Sequence, residues 1–186
     1  MQKIILASQS PRRKQLLQWA EVLFDVIIKD TDESYPPHLP ATEVAIHIAK
    51  NKALAVKFSQ QDAIPILAAD TIVVCNDDII GKPTDREDAI QILSKLSGKK
   101  HLVITGVCIL FNNKEIVFAD TTEVAFHDLT MEQIVFYVDN YKPYDKAGAY
   151  AIQEWIGVVG ISSINGDFYN VMGLPVSRVI KELQKL

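Results

Sequence analysis

Between Ile64 and Cys75 the chain is apolar almost throughout, interrupted by Asp70 and Thr71 with no turn signal around them. A run of that kind reads as a long buried strand. Strand and helix patterns alternate on both sides of it. Lys3–Ala7 reads as a short strand, Pro11 to Ala20 as a helix and Phe24–Ile28 as a second strand. The proline-rich, acidic stretch Asp30–Pro40 is a loop of a length often tied to function. A helix from Glu43 to Phe58 precedes the long strand, which turns at Asn76-Asp77-Asp78 and returns through Ile79-Ile80. Thr84-x-x-Glu87 has the pattern of a capping box, opening a helix that stops at Gly98. His101–Phe111 and Glu115–Phe126 read as paired strands around Asn112-Asn113-Lys114. A helix from Thr130 to Asn140 leads into a polar, Tyr-rich stretch ending at Gln153. Strands at Val158–Ile164 and Phe168–Asn170 flank the turn Asn165-Gly166-Asp167, and Pro175–Leu186 closes the chain as a helix. Hairpins and crossovers in mixed order specify an α/β fold with α+β character, a mixed sheet with helices on its faces.

At 186 residues and 48% apolar content, the chain is expected to form one domain with a core that needs no disulfide or structural metal. A mean hydropathy of +0.10, with no apolar run near the roughly 18 residues of a spanning helix, predicts a non-membrane protein. Cys75 and Cys108 sit inside apolar runs without a second Cys or a His at metal-ligand spacing. They read as small core residues in a reducing compartment, which points to the cytoplasm. The net charge of −4 argues against a nucleic-acid partner held by general electrostatic attraction. An anionic ligand would therefore need a local cluster of cations, assisted by a metal.

Such cations stand out at Ser8-Gln9-Ser10-Pro11-Arg12-Arg13. Ser10 before Pro11 is a strong helix start, a hydroxyl cap followed by proline at the first helical position. The first turn of a helix favours acids, yet here it carries Arg12 and Arg13. A strand, a serine turn with Ser8 and Ser10, and an arginine-loaded helix end describe a phosphate cradle. The alternative is a solvated basic turn paired with a distant carboxylate.

Lys52 is the second anomaly. On a helical wheel it falls near the middle of the face formed by Val44, Ala45, Ile48, Ala49, Ala55 and Val56. A core-facing lysine is snorkelling, salt-bridged or aimed at a ligand. Asp70 is its candidate partner, because an ionised carboxylate inside an apolar strand must meet a cation, a metal or water. Periodicity leaves two readings of Asp70 open: a structural ion pair with Lys52, or a general base or metal ligand.

Smaller signals agree. Gly81-Lys82-Pro83 places a lysine on a rigid turn suited to an oriented phosphate contact. Asp30, Asp32 and Glu33 offer oxygen ligands for Mg²⁺ or Mn²⁺. The segment Asp145–Gln153 combines flexible backbone with aromatic and amide side chains able to line a base pocket. There is no P-loop, dinucleotide fingerprint, zincin motif or nucleophile elbow, and the four His are scattered.

Leu6–Leu17, Ala69–Val73, Gly81-Lys82-Pro83, Thr105-Gly106-Val107, Lys146–Gln153 and Asn170–Val176, in this order, resemble the Maf family of nucleoside triphosphate pyrophosphatases. The resemblance implies an elongated mixed sheet flanked by helices with a cleft between two lobes, similar to inosine triphosphate pyrophosphatases. It also implies a metal-dependent hydrolysis of a nucleoside triphosphate to the monophosphate and pyrophosphate, with Mg²⁺, Mn²⁺ or Co²⁺ as cofactor. Carried over by position, Asp70 matches the family's proton acceptor. Arg12, Arg13, Lys52 and Lys82 match its phosphate-binding cations, beside the serine turn of Ser8 and Ser10. Glu33 matches a metal-linked carboxylate that acts with Asp70. Arg12, Thr71 and Gln153 match positions tied to substrate choice. A homodimer is the family precedent.

Uracil and thymine each present an N–H between two carbonyls, and the Gln153 amide, with one donor and one acceptor face, can complement that edge. The family's second branch, similar to 7-methylguanosine triphosphate pyrophosphatases, carries an acid at this position, so Gln153 points to the dTTP/UTP branch and to house-cleaning of the nucleotide pool. The rival expectations are a 7-methyl-GTP pyrophosphatase, a nucleotide-binding regulator of septum formation that performs no chemistry, and a phosphatase releasing orthophosphate.

Overall fold

The computed structural model describes residues 2–58 and 64–186. Among the described residues, seven strands form one sheet: β1 (Ile4–Leu6), β2 (Phe24–Val26), β3 (Ile66–Cys75), β4 (Asp78–Ile80), β5 (Lys100–Phe111), β6 (Lys114–Phe126) and β7 (Ile161–Asn165). Their order is β2-β1-β3-β5-β6-β7, with β4 paired to β3. β1 runs parallel to both β2 and β3, while β4 returns antiparallel along β3 and β7 antiparallel along β6. The mixed sheet with both crossovers and hairpins is the α/β arrangement the sequence specifies. Among the described residues, no helix is long and apolar enough to cross a membrane.

The chain divides into two compact units, and the division falls inside β3, β5 and β6. The first comprises Met1–Thr71, Thr105–Asp120 and Gly173–Leu186. It contains β1, β2, α1 (Pro11–Trp19), α2 (Ala41–Lys57) and α7 (Val176–Leu183). Ile5 and Ala7 of the first strand segment, Ile66 and Ala68 of β3, and Cys108 and Leu110 of β5 pack against Ala49, Ala53 and Val56 of α2. Ala53 takes the buried place that the helical wheel gave to Ala55, which is half-buried. α2 lies very close to β5. A Cβ on Gly106 would stand 2.2 Å from the backbone carbon of Ala45, so only glycine permits this approach.

The second unit comprises Ile72–Ile104 and Thr121–Met172. It holds α3 (Arg86–Leu96), α4 (Met131–Tyr141), α5 (Trp155–Gly160) and α6 (Phe168–Met172). α3 packs on α4, and Leu93, Leu96, Ile134, Tyr137, Val138 and Ile156 are buried. His101, Phe126 and Tyr150 form an edge-to-face aromatic cluster within this unit.

Three local expectations are corrected. Asp85, one residue past Thr84, caps α3 by accepting from the Asp88 N–H at 2.8 Å. Thr84 instead donates its N–H to the Asp88 carboxylate at 2.9 Å. Val158–Gly160 belong to α5 rather than to a strand, which begins at Ile161. Phe168–Asn170 are helical, because the Asp167 carboxylate accepts from the Tyr169 N–H at 2.8 Å and caps α6. Gly166, at φ +130, makes the expected turn, but it leads into a helix.

Candidate active site

The serine turn sits between β1 and α1. Ser10 caps α1, its hydroxyl accepting from the Arg13 N–H at 3.5 Å, and Pro11 opens the helix as expected. Ser8 is buried, and its Oγ accepts from the Ser10 N–H at 3.3 Å. No acid occupies the first turn of α1, so Arg12 and Arg13 add to the positive helix end.

Arg13 turns inward. Its Nε donates to the Gly173 carbonyl at 2.8 Å, Nη1 to Ser8 Oγ at 3.0 Å and Nη2 to Thr71 Oγ1 at 3.0 Å. Three of its five N–H groups are thus held by neutral oxygens of the protein. Burial pulls its pKa below the ordinary arginine value, and the nearby Asp70 carboxylate offsets part of that shift. Arg13 therefore welds the serine turn, β3 and the Gly173 turn together while keeping a positive charge beneath them. Thr71 extends the network, with its Oγ1 3.0 Å from Oγ1 of the fully buried Thr105. The link through Thr105 and the Gly173 carbonyl is not legible in sequence spacing, because the partners lie 34 and 102 residues from Thr71.

Lys52 meets the expected carboxylates. Its Nζ lies 2.7 Å from Asp70 Oδ1 and 2.7 Å from Glu33 Oε1. The Lys52 and Asp70 side chains are 17% and 15% exposed, deep enough to matter electrostatically yet reachable by a ligand. Glu33 enters from the acidic loop, half exposed. The close seating of α2 at Gly106 fixes the depth at which Lys52 is presented. The first unit thus gathers Ser8, Ser10, Arg12, Arg13, Glu33, Lys52, Asp70 and Thr71, three cations against two carboxylates.

Lys82 and Gln153 belong to the second unit and both are exposed. Their segments are tied by the Gly148 N–H, which donates to the Gly81 carbonyl at 3.0 Å. Gly148 takes φ +72, where a Cβ would press 2.9 Å from Val73 Cγ2. Ala149 follows at φ +58, a left-handed backbone costly for an L-residue. Lys146 is buried against Asp145 at 2.7 Å and Glu154 at 3.5 Å.

Two clustered carboxylates drawn onto one cation match the donor set of a Mg²⁺-type ion, which takes one or two carboxylates and completes its shell with water and phosphate oxygens. Among the described residues, no group of three or more His, Cys, Asp or Glu forms an all-protein metal cage. Glu33 and Asp70 are the residues that would supply protein oxygens to such an ion.

The chain resembles several curated proteins along nearly its whole length. A relative from Cytophaga hutchinsonii, named dTTP/UTP pyrophosphatase, is 53% identical over 98% of this chain and 84% of its own length. Another of the same name from Parabacteroides distasonis is 49% identical over 98% of this chain and 95% of its own. Among solved structures, the Staphylococcus aureus Ham1 protein aligns at 15% identity over 68% of this chain and 73% of its own, with a TM-score of 0.46. The family described as Maf-like protein matches residues 3–186, and with the serine turn, the Lys52–Asp70 pair and the Lys146–Gln153 segment all in place, the chain belongs to the Maf family.

Proposed function

We propose that this protein hydrolyses dTTP and UTP to the nucleoside monophosphate and pyrophosphate, clearing unwanted pyrimidine nucleotides from the pool. The observation that carries the chemistry is the convergence of Glu33 and Asp70 on Lys52, beside the arginine-loaded start of α1. The names of the close relatives, together with the amide at Gln153, support the choice of base.

In this reading a water attacks the α-phosphorus and its proton passes to the Asp70 carboxylate. The new P–O bond forms as the bond from the α-phosphorus to the α–β bridging oxygen breaks, and pyrophosphate leaves with that electron pair. Lys52 orients Asp70 through one carboxylate oxygen and offsets charge on the phosphates. Arg12, half-buried on the same helix turn, meets the phosphate chain, while Arg13 braces the turn from inside. Lys82 is assigned to the leaving pyrophosphate. A divalent cation bound by Glu33 and Asp70 would supply Lewis-acid stabilisation and lower the pKa of a bound water. We also propose a homodimer as the working assembly, which sedimentation velocity tests directly.

The test is a screen of purified protein against dTTP, UTP, CTP, GTP and 7-methyl-GTP with Mg²⁺ or Mn²⁺, quantifying pyrophosphate and orthophosphate separately. Pyrophosphate from dTTP and UTP, absent in Asp70→Asn, is the expected result. A preference for 7-methyl-GTP would overturn the base assignment, and orthophosphate as the product would overturn the reaction.

A further inference from the structure

Gln153 is exposed, and a lone exposed amide reads a base edge only if its backbone is held in place. The structure shows how that is done. Residues Ala151 to Glu154 form a β-turn closed by the Glu154 N–H to the Ala151 carbonyl at 3.1 Å, with Gln153 in its third position. Tyr137 lies on α4, fully buried, its ring stacked on Tyr141. Its hydroxyl oxygen accepts from the Ala151 N–H at 3.1 Å and its O–H donates to Glu154 Oε2 in a short bond. One hydroxyl therefore grips both ends of the turn that displays Gln153. Lys146 approaches the other oxygen of the same carboxylate, 3.5 Å from Glu154 Oε1. α5 backs the turn directly, since a Cβ on Gly157 would lie 1.8 Å from the Ile152 carbonyl oxygen.

We propose that Tyr137 is a positioning residue for base selection, its hydroxyl fixing the Ala151–Glu154 turn so that the Gln153 amide meets the hydrogen-bonding edge of a pyrimidine. This rests on the reading of Gln153 given above. Packing alone would be served by phenylalanine, and a buried hydroxyl is costly unless both its donor and acceptor capacity are used. Here both go to the two ends of one turn. Freed of that grip, the turn shifts by more than the roughly 0.5 Å that a specific hydrogen-bonded edge tolerates. The loss falls on discrimination between bases, because the groups that touch the phosphates are held by other contacts.

The experiment compares kcat and KM for dTTP and CTP in the full chain and in Tyr137→Phe, Gln153→Ala and the double variant. Tyr137→Phe is expected to lower the dTTP-over-CTP ratio of kcat/KM about tenfold, chiefly through KM for dTTP, with kcat at saturation within about twofold. Gln153→Ala is expected to lower the same ratio, and the double variant to lose no more than Gln153→Ala alone. A ratio unchanged in Tyr137→Phe but collapsed in Gln153→Ala would overturn the positioning role while leaving the reading of Gln153 intact. A ratio unchanged in Gln153→Ala would overturn the reading itself, and the positioning role with it. Additive losses in the double variant would show that Tyr137 acts elsewhere and overturn the proposal. Glu154→Ala removes the other anchor of the same hydroxyl and is expected to reproduce the Tyr137→Phe phenotype, so it decides the matter should Tyr137→Phe fail to fold.

Discussion

Lys52 Nζ stands 2.7 Å from Asp70 Oδ1 at the point where α2 faces β3, and the same nitrogen holds Glu33. Removing the lysine leaves two neighbouring carboxylates without their shared cation. Lys52→Ala is therefore expected to lower kcat/KM for dTTP by about 10²-fold or more and to lower the melting temperature. Adding Asp70→Asn to Lys52→Ala relieves the repulsion and is expected to restore part of the melting temperature while turnover stays lost. A double variant no more stable than Lys52→Ala would show that the ion triplet carries no electrostatic strain when broken. Calorimetry together with pyrophosphate release reads both effects.

Gly106 faces the backbone of Ala45 so closely that a methyl group would stand 2.2 Å from a carbonyl carbon. The obstacle is backbone, which cannot rotate away, so α2 must move outward along with Lys52. Gly106→Ala is expected to destabilise the protein by about 1–3 kcal/mol, as other overpacked cores do, and to reduce turnover even under conditions where it remains folded. Urea melts and kcat measured well below the transition separate the two losses. Full activity in a folded Gly106→Ala would show that the depth of Lys52 does not matter.

Arg13 presents a planar fork to Gly173 O, Ser8 Oγ and Thr71 Oγ1 at 2.8, 3.0 and 3.0 Å. A lysine keeps the charge but cannot reach three oxygens in one plane. Arg13→Lys is expected to cost about 1–3 kcal/mol in a urea melt, because buried acceptors lose their donors. Arg12→Lys, at the half-buried neighbouring position, is expected to cost less in the melt than Arg13→Lys and to raise KM. Equal melts for the two variants would contradict the division of labour between neighbouring arginines.

The two arginines mark where the sequence stops being informative. Their opposition to the helix dipole is visible in the order Ser10-Pro11-Arg12-Arg13, and so is the anomaly of Lys52 on an apolar helix face, because both break a local periodic rule. Asp70 is legible for the same reason, a carboxylate inside an apolar strand. That Arg13 points inward is not legible, since its partners Thr71 and Gly173 lie 58 and 160 residues away. Tyr137 looks like any core aromatic of an amphipathic helix; only the fold brings its hydroxyl to the Ala151–Glu154 turn. The misread strand at Phe168 has a local cause. Asn165-Gly166-Asp167 carries a turn signal that suits a hairpin, but the Asp167 side chain caps a helix instead. Val158 and Val159 are β-branched, yet they sit in a short helix that begins at Trp155.

His101 supplies a prediction about pH that does not involve the phosphate site. It is 2% exposed, its Nε2 lies 2.7 Å from the Tyr150 hydroxyl, and its Nδ1 is buried without a hydrogen-bond partner. Burial pushes its pKa down from 6.5 to about 4 and pushes that of Tyr150 up, so the pair is neutral near pH 7. Between those two values the unfolded chain binds a proton at His101 that the folded chain refuses. Stability from this residue is therefore fully present above about pH 6.5 and is lost as the pH falls towards 4, by roughly 3 kcal/mol in all. His101→Gln removes the titration but keeps a polar side chain. The difference in unfolding free energy between pH 7 and pH 4.5 is expected to be larger in the parent protein than in His101→Gln, with urea melts as the measurement. Carboxylates elsewhere titrate alike in both proteins and cancel in that comparison, so equal pH dependence would mean that His101 accepts its proton within the fold.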